Sequence, residues 1–362
     1  MMRRFLRHAP GIAALGLLAA CVGAPPVERP GPAPTPAPTT TAETAAELGV
    51  RRGPAVAELG LLPQDSAAAL RSFTESCRVA TTRQDASGLT RPGDWQAACR
   101  SAPAWPAADA ARFFATYFEA AEVGEGAAFA TGYFEPEILG SRTRRPGFEQ
   151  PVYAMPPDLV RDATYTGEGR APLGRVGMSG QHVPYYTRAE IVNGALDGRA
   201  PVIAWAADRV EFFFLQIQGS GRLVTPEGEV IRIGYAGQNG RGYTGIGALM
   251  RENKSWVFFR VLTGDGPLGS IGVPVRGESS VAVDPRFVPY GAPVWLDLDR
   301  DVADGLWVAQ DTGGAIRGAN RFDTFWGAGQ QAREIAGGMS GRGDAYILLP
   351  KGVVDRINSN RR

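Results

Sequence analysis

The sequence predicts a mainly β protein whose helices are confined to its N-terminal part. Apolar residues recur at helical spacing from about residue 64 to 123, whereas from Thr131 onward the chain breaks into short runs punctuated by glycine and proline. The last of these runs, at 280–284, 293–298, 305–311 and 344–349, are each bounded by turn residues, which suggests a small barrel or sandwich near the C-terminus. A length of 362 residues leaves room for two domains and a real core.

Taken in order, the N-terminus reads as an export signal. Arg3, Arg4 and Arg7 precede an apolar run from Gly11 to Ala20 that is too short to span a bilayer. Leu18-Ala19-Ala20-Cys21 resembles a bacterial lipobox, which implies removal of residues 1–20 and acylation of Cys21, holding the protein to a membrane without a spanning helix. Because Val22 is not an aspartate, this resemblance favours the periplasmic face of the outer membrane; a plain secretory signal with a stray cysteine is the alternative. Residues 21–55 contain Pro30-Gly31-Pro32-Ala33-Pro34-Thr35-Pro36 and are expected to form a disordered tether.

A helical region is expected over 56–130, with Phe113, Phe114, Tyr117 and Phe118 as a core stripe behind Pro106 and Asp109. Cys77 and Cys99 remain in the exported chain, where they are either a disulfide or two buried thiols. Alternation predicts a strand over 210–218. Phe213, Leu215 and Ile217 would lie on one face, with Phe214, Gln216 and Gln218 on the other.

Composition narrows the chemistry. A formal net charge of +1 gives no footprint for nucleic acid. Two histidines and three cysteines can hardly assemble the usual zinc site, and nothing else in the sequence requires a metal or an organic cofactor. His8 lies in the leader, so a Ser-His-Asp triad would have to use His182, which reads as an ordinary surface histidine in a loop. Elimination points to carboxylates. Asp311 and Asp284 end strands, and Asp323 follows a second glycine turn. Such positions suit function, because glycine lets a substrate approach closely, and they suit plain turn formation equally well. Asp311-Thr312-Gly313 matches the signature of aspartic proteases, but no second Asp-Thr-Gly or Asp-Ser-Gly exists to share the proton.

Three segments resemble the membrane-bound lytic murein transglycosylase A family. They are Thr131-Gly132-Tyr133-Phe134-Glu135-Pro136 with Pro151-Val152-Tyr153; the stretch from Thr187-Arg188-Ala189-Glu190-Ile191 through Gln216-Ile217-Gln218-Gly219-Ser220-Gly221-Arg222 to Tyr235-Ala236-Gly237-Gln238-Asn239-Gly240 and Tyr243-Thr244-Gly245-Ile246-Gly247; and an end similar to the "3D" domain, with Asp284, Asp311 and Asp323. The resemblance covers roughly residues 60 to 350. It implies a double-psi β-barrel over 131–140 and 257–350, with a second β-rich domain over 141–256 inserted and a glycan groove between them. One departure is that Met250 is followed within a few residues by Ser255-Trp256-Val257, where related chains carry a helical stretch.

The resemblance further implies cleavage of peptidoglycan glycan strands. Asp323 would act first as acid and then as base, Asp311 would support it, and Asp284 would be a structural carboxylate. Tyr133, Gln216, Gln218, Ser220, Arg222, Tyr235 and Asn239 would bind substrate; a solvated turn charge is the alternative for Arg222, and packing or turn roles are the alternative for Tyr133, Tyr235 and Asn239. A cell-wall remodelling complex is a candidate partner. Two rivals stand: a glycan hydrolase on the same barrel, with Asp311 activating water, and a non-catalytic wall-binding lipoprotein.

Overall fold

The structure is a computed structural model that describes residues 42–242, 252–264 and 266–360. The leader, Cys21, most of the tether, the Tyr243–Gly247 segment and Met250 lie outside the described residues. Folding begins earlier than the tether boundary implies. Helix α1 (Ala45–Leu48) is capped by Thr44, whose side chain accepts from the Glu47 amide, and strand β1 (Val50–Arg52) follows. Ala45 and Val50 are buried, and β1 pairs with a later strand, so residues 45–52 are part of the core.

Helix α2 (Pro63–Ala80) opens with proline, which has no amide to leave unpaired in the first turn. It buries Ala69, Leu70, Phe73 and Ala80. A disulfide between Cys77 and Cys99 ties α2 to α3 (Gln96–Ser101). In α4 (Ala110–Tyr117) Phe113 and Phe114 are fully buried. Phe118 does not extend that helix. Its backbone is extended and it opens strand β2 (Phe118–Val123), while its ring meets Phe73 edge-on at 5.4 Å.

Strand β3 (Ala127–Glu135) leads through Pro136 to β4 (Glu137–Ser141), β5 (Gln150–Tyr153), β6 (Val160–Arg161), β7 (Leu173–Val176) and β8 (His182–Pro184). His182 therefore sits in a short strand, not a loop. Next come α5 (Arg188–Val192), β9 (Val202–Ala206), α6 (Arg209–Gln218), β10 (Ser220–Val224), β11 (Val230–Gln238) and β12 (Val257–Val261). The C-terminal part holds β13 (Ser280–Ala282), β14 (Pro293–Leu298), β15 (Gly305–Asp311), β16 (Arg321–Ala328), α7 (Gly329–Gly338), β17 (Ser340–Pro350) and α8 (Val353–Ser359).

These strands form two main sheets. β17, β14, β15, β13, β16 and β3 pair in that order, and β3 pairs back onto β17, closing a six-stranded barrel. Closure removes the free edges that an open sheet would expose. β2 and β1 extend the barrel at β17. The second sheet has the order β12-β11-β10-β4-β9-β5, with β6, β7 and β8 in a small sheet beside it. The expected barrel-plus-insert architecture is present, but its boundaries move. β4 pairs with β10 and β12 with β11, so both belong to the second sheet and not to the barrel.

The predicted strand over 210–218 is the helix α6. Asp208 caps it by accepting from the Val210 and Glu211 amides, and Gly219 ends it with φ +80°, a conformation that glycine adopts without a Cβ clash. Phe212, Phe213, Leu215 and Gln216 face inward at helical spacing. The aromatic run mimics a strand by propensity, and the caps decide otherwise.

Candidate active site

The register of the barrel brings the carboxylates together. Ala282 on β13 pairs with Asp311 on β15 and with Asp323 on β16, and Asp323 pairs with Thr131 on β3. Asp311, Asp323 and Thr131 therefore stand in one row on one face of the sheet, with the two aspartates two strand spacings apart, about 10 Å. A bulge makes this possible. Val281 pairs with Ala309 but Ala282 pairs with Asp311, so Gln310 is the extra residue. Gln310 is fully buried and donates to the Ser72 carbonyl at 2.9 Å and to Ser76 Oγ at 3.0 Å on α2. That anchor turns Asp311 to the opposite, solvent-facing side.

Asp311 is well supplied with donors. Its Oδ1 accepts from the Ser270 amide at 2.8 Å and the Thr312 amide at 2.9 Å, and its Oδ2 accepts from the Tyr133 hydroxyl at 3.0 Å. Burial pushes its proton affinity up, and these donors oppose the shift. Tyr133 stacks on Phe325 at 4.9 Å and is held as a neutral phenol. Its burial, and then the charges of Asp311 and Asp323, drive its pKa well above the ordinary tyrosine value.

Asp323 is half-buried, and its Oδ1 accepts a hydrogen bond from Thr131 Oγ1. Thr131 Oγ1 in turn accepts from Arg321 Nη2 at 2.8 Å. Burial is the main force on Asp323 and raises its pKa to about 6. The Asp311 charge adds in the same direction, while the Thr131 hydroxyl and Arg321 oppose it. The site thus holds one carboxyl that keeps its proton well above the usual range, beside a second carboxyl engaged by three donors.

Asp284 has a different environment. It is buried and bonds twice to the Arg286 guanidinium, with Oδ2 at 2.6 Å from Nη2, and Oδ2 also accepts from the Gly318 amide at 2.9 Å. Opposed by burial, these bonds to Arg286 and Gly318 hold its pKa below the usual value. It joins the turn after β13 to the loop before β16.

The expected substrate-binding residues of the second sheet divide. Gln216 is buried; its Oε1 accepts from Arg188 Nη1 at 2.6 Å and its Nε2 donates to the Val257 carbonyl at 3.0 Å. Asn239 is fully buried, donating to the Tyr186 and Lys254 carbonyls at 2.8 Å and accepting from the Trp256 amide at 2.9 Å. In both the amide oxygen and the amide nitrogen are engaged inside the domain, which corrects both assignments: Asn239 satisfies backbone groups, and Gln216 joins Arg188 to the Val257 carbonyl. Gln218 and Ser220 are half-buried beside the α6 C-terminus, and Tyr235 is 48% exposed on β11. Arg222 on β10 bonds through Nε to the buried Glu135 at 3.1 Å, across the passage from barrel to second sheet.

Thr131, Arg321, Ser270 and Glu135 are site or junction residues that sequence reading did not single out. Arg321 carried a usable signal, because it precedes Asp323 by two positions on one strand and so shares its face. Among the described residues no group of three or more His, Cys, Asp or Glu side chains is placed to hold a metal, and no helix is long and apolar enough to cross a membrane.

Comparison with known proteins agrees with this fold. The chain matches the MltA specific insert domain over residues 129–257 and the 3D domain over residues 279–349. It is similar to the crystal structure of MltA from Neisseria gonorrhoeae, with 35% identity and a TM-score of 0.70, covering 80% of this chain and 89% of that one. It is also similar to a membrane-bound lytic murein transglycosylase from Agrobacterium tumefaciens, with 26% identity and a TM-score of 0.73, covering 85% and 99%. The membrane-bound lytic murein transglycosylase A of Vibrio cholerae is 28% identical over 265 residues; the match spans 60% of this chain and 66% of that protein's length. On the two domain matches and the Neisseria likeness, the chain belongs to the membrane-bound lytic murein transglycosylase A family.

Proposed function

We propose that this protein is a peptidoglycan lytic transglycosylase. It cleaves the β-1,4 bond between N-acetylmuramic acid and N-acetylglucosamine and leaves 1,6-anhydromuramic ends. Asp323 gives its proton to the glycosidic oxygen as the bond to the anomeric carbon breaks. The resulting carboxylate takes the proton of the muramic C6 hydroxyl, whose oxygen bonds to that carbon. The proton returns to Asp323, and no water is consumed.

The observation that carries this reading is the Asp323 carboxyl itself: solvent-facing, half-buried, and with a pKa raised to about 6. Asp311 favours the one-carboxylate route over the hydrolase. Both oxygens of Asp311 are already engaged by Tyr133, Ser270 and Thr312, which leaves it poorly placed to orient and deprotonate a water. It supports the cationic transition state instead. The glycan lies across the solvent-facing row, reaching toward Tyr235 and Arg222 on the second sheet. Acylation of Cys21 anchors the protein to the outer membrane, consistent with the membrane-bound designation of its relatives.

The test is digestion of purified sacculi by a soluble form starting after Cys21, with released muropeptides read by mass spectrometry and Asp323→Asn as control. Anhydro ends that vanish in the variant support the proposal. Reducing ends assign the hydrolase. Binding without release assigns a wall-binding protein.

A further inference from the structure

A second row of side chains lies beside the catalytic one. Phe129 on β3 pairs with Arg321 on β16 and with Arg342 on β17. These three residues stand two positions from Thr131, Asp323 and Ser340 on the same strands, and therefore on the same face, about 7 Å along. Burial follows this alternation: Ala128, Ala130, Phe322 and Gly341 point inward, while Phe129, Arg321 and Arg342 remain half-buried or exposed.

Both guanidiniums sit 4.8 Å from the Phe129 ring centroid, one from each flanking strand. Arg321 bonds to the Phe129 and Phe322 carbonyls and to Thr131, all neutral acceptors. Among the described residues neither Arg321 nor Arg342 forms an ion pair with a carboxylate. Two cations on one aromatic ring repel each other, and the ring face offsets only part of that cost. The arrangement sets two cations side by side, facing the same solvent as Asp323. The Arg342 side chain makes no hydrogen bond among the described residues, so its guanidinium fork is free to meet a planar anion.

We propose that the Arg321–Phe129–Arg342 row is a carboxylate subsite that selects acidic muramyl glycans over neutral ones. This rests on the reading of Asp323 as the acid for a muramyl bond. The carboxylate comes either from the lactyl group of stripped muramic acid or from a stem peptide. Arg342 is the discriminating residue. Arg321 has a second duty through Thr131, so its loss alters the acid as well as the subsite.

The experiment measures binding with Asp323→Asn present throughout, so that the muramyl ligands are not consumed and binding stands apart from cleavage. Affinities are compared for chitohexaose, for peptide-free muramyl oligomers and for peptide-bearing ones, in the protein and in Arg342→Gln and Arg342→Lys. The protein with Arg342 intact is expected to favour a carboxylate-bearing ligand over chitohexaose at least tenfold, with the ratio shrinking as salt rises. Arg342→Gln should reduce that ratio about tenfold, and Arg342→Lys should restore part of it. Reduction with peptide-free oligomers assigns the lactyl carboxylate; reduction only with peptide-bearing ones assigns the stem. An unchanged ratio in Arg342→Gln overturns the proposal, even if the protein cleaves sacculi. A reduced ratio sustains the subsite even if the products show that Asp323 is not the acid.

Discussion

On the barrel, Asp311, Asp323, Thr131 and Arg321 stand on the solvent-facing side of their strands, at register positions set by pairing and by one bulge. In the second domain, Gln216 and Asn239 are buried; Gln216 bonds to the Arg188 guanidinium and the Val257 carbonyl, and Asn239 to backbone groups of neighbouring segments. Both regions carry polar residues in glycine-rich surroundings, and their sequences look alike. The difference is direction. A polar side chain serves chemistry when its strand aims it outward, and it serves stability when its element aims it inward, where an unmet hydrogen bond costs about 1–3 kcal/mol.

Substitutions on the two sides should therefore separate activity from stability. Asp323→Asn is expected to cut cleavage roughly a thousandfold or more, within or above the usual range for losing a general acid. The same change should stabilise the protein. Burial raises the folded-state pKa of Asp323 to about 6, so its ionisation costs stability as pH rises from the unfolded value to about 6. Removing the charge returns on the order of 3 kcal/mol above that pH and nothing below pH ~4, measurable by denaturant titration. Asn239→Ala should do the reverse. It removes the bonds to the Tyr186 and Lys254 carbonyls and from the Trp256 and Arg241 amides, and is expected to cost about 2–4 kcal/mol, with turnover intact at temperatures where the fold persists.

Smaller effects sharpen the catalytic side. Because Asp323 must begin protonated, the rate on sacculi should fall as pH rises through about 6. Thr131→Val removes the hydroxyl that stabilises the carboxylate form, so that limb should move to higher pH, by up to about one unit. A limb that stays in place, or moves down, would show that Thr131 does not act on the acid. Arg222→Ala should leave that limb in place. It leaves Glu135 buried without its partner and should lower stability by about 1–3 kcal/mol.

Much of the barrel was legible because its strands are short runs closed by turn residues. The runs at 293–298 and 305–311 coincide with β14 and β15, and 280–284 overlaps β13. The run at 344–349 is the second half of β17, whose Gly341 and Gly343 disguised its start. The α6 helix was misread because Phe212, Phe213, Phe214 and Ile217 favour strands, while the Asp208 cap and Gly219 stop were the better signals. Asp311 was visible as a strand-end carboxylate and Asp323 as one that follows a glycine turn. Their shared row was not, since it depends on a bulge at Gln310 that is anchored by serines on α2, more than two hundred residues away in the chain. Gln216 and Asn239 drew the wrong role for the same reason: pairing partners distant in sequence decide whether a polar group is spent.

The most direct test of the mechanism is cleavage of sacculi in heavy-oxygen water, followed by mass spectrometry of the new glycan ends. The account predicts ends one water lighter than reducing ends and carrying no heavy oxygen, formed only when Asp323 is present. Reducing ends that carry one heavy oxygen would mean that water, and not the C6 hydroxyl, attacks the anomeric carbon, and would contradict it.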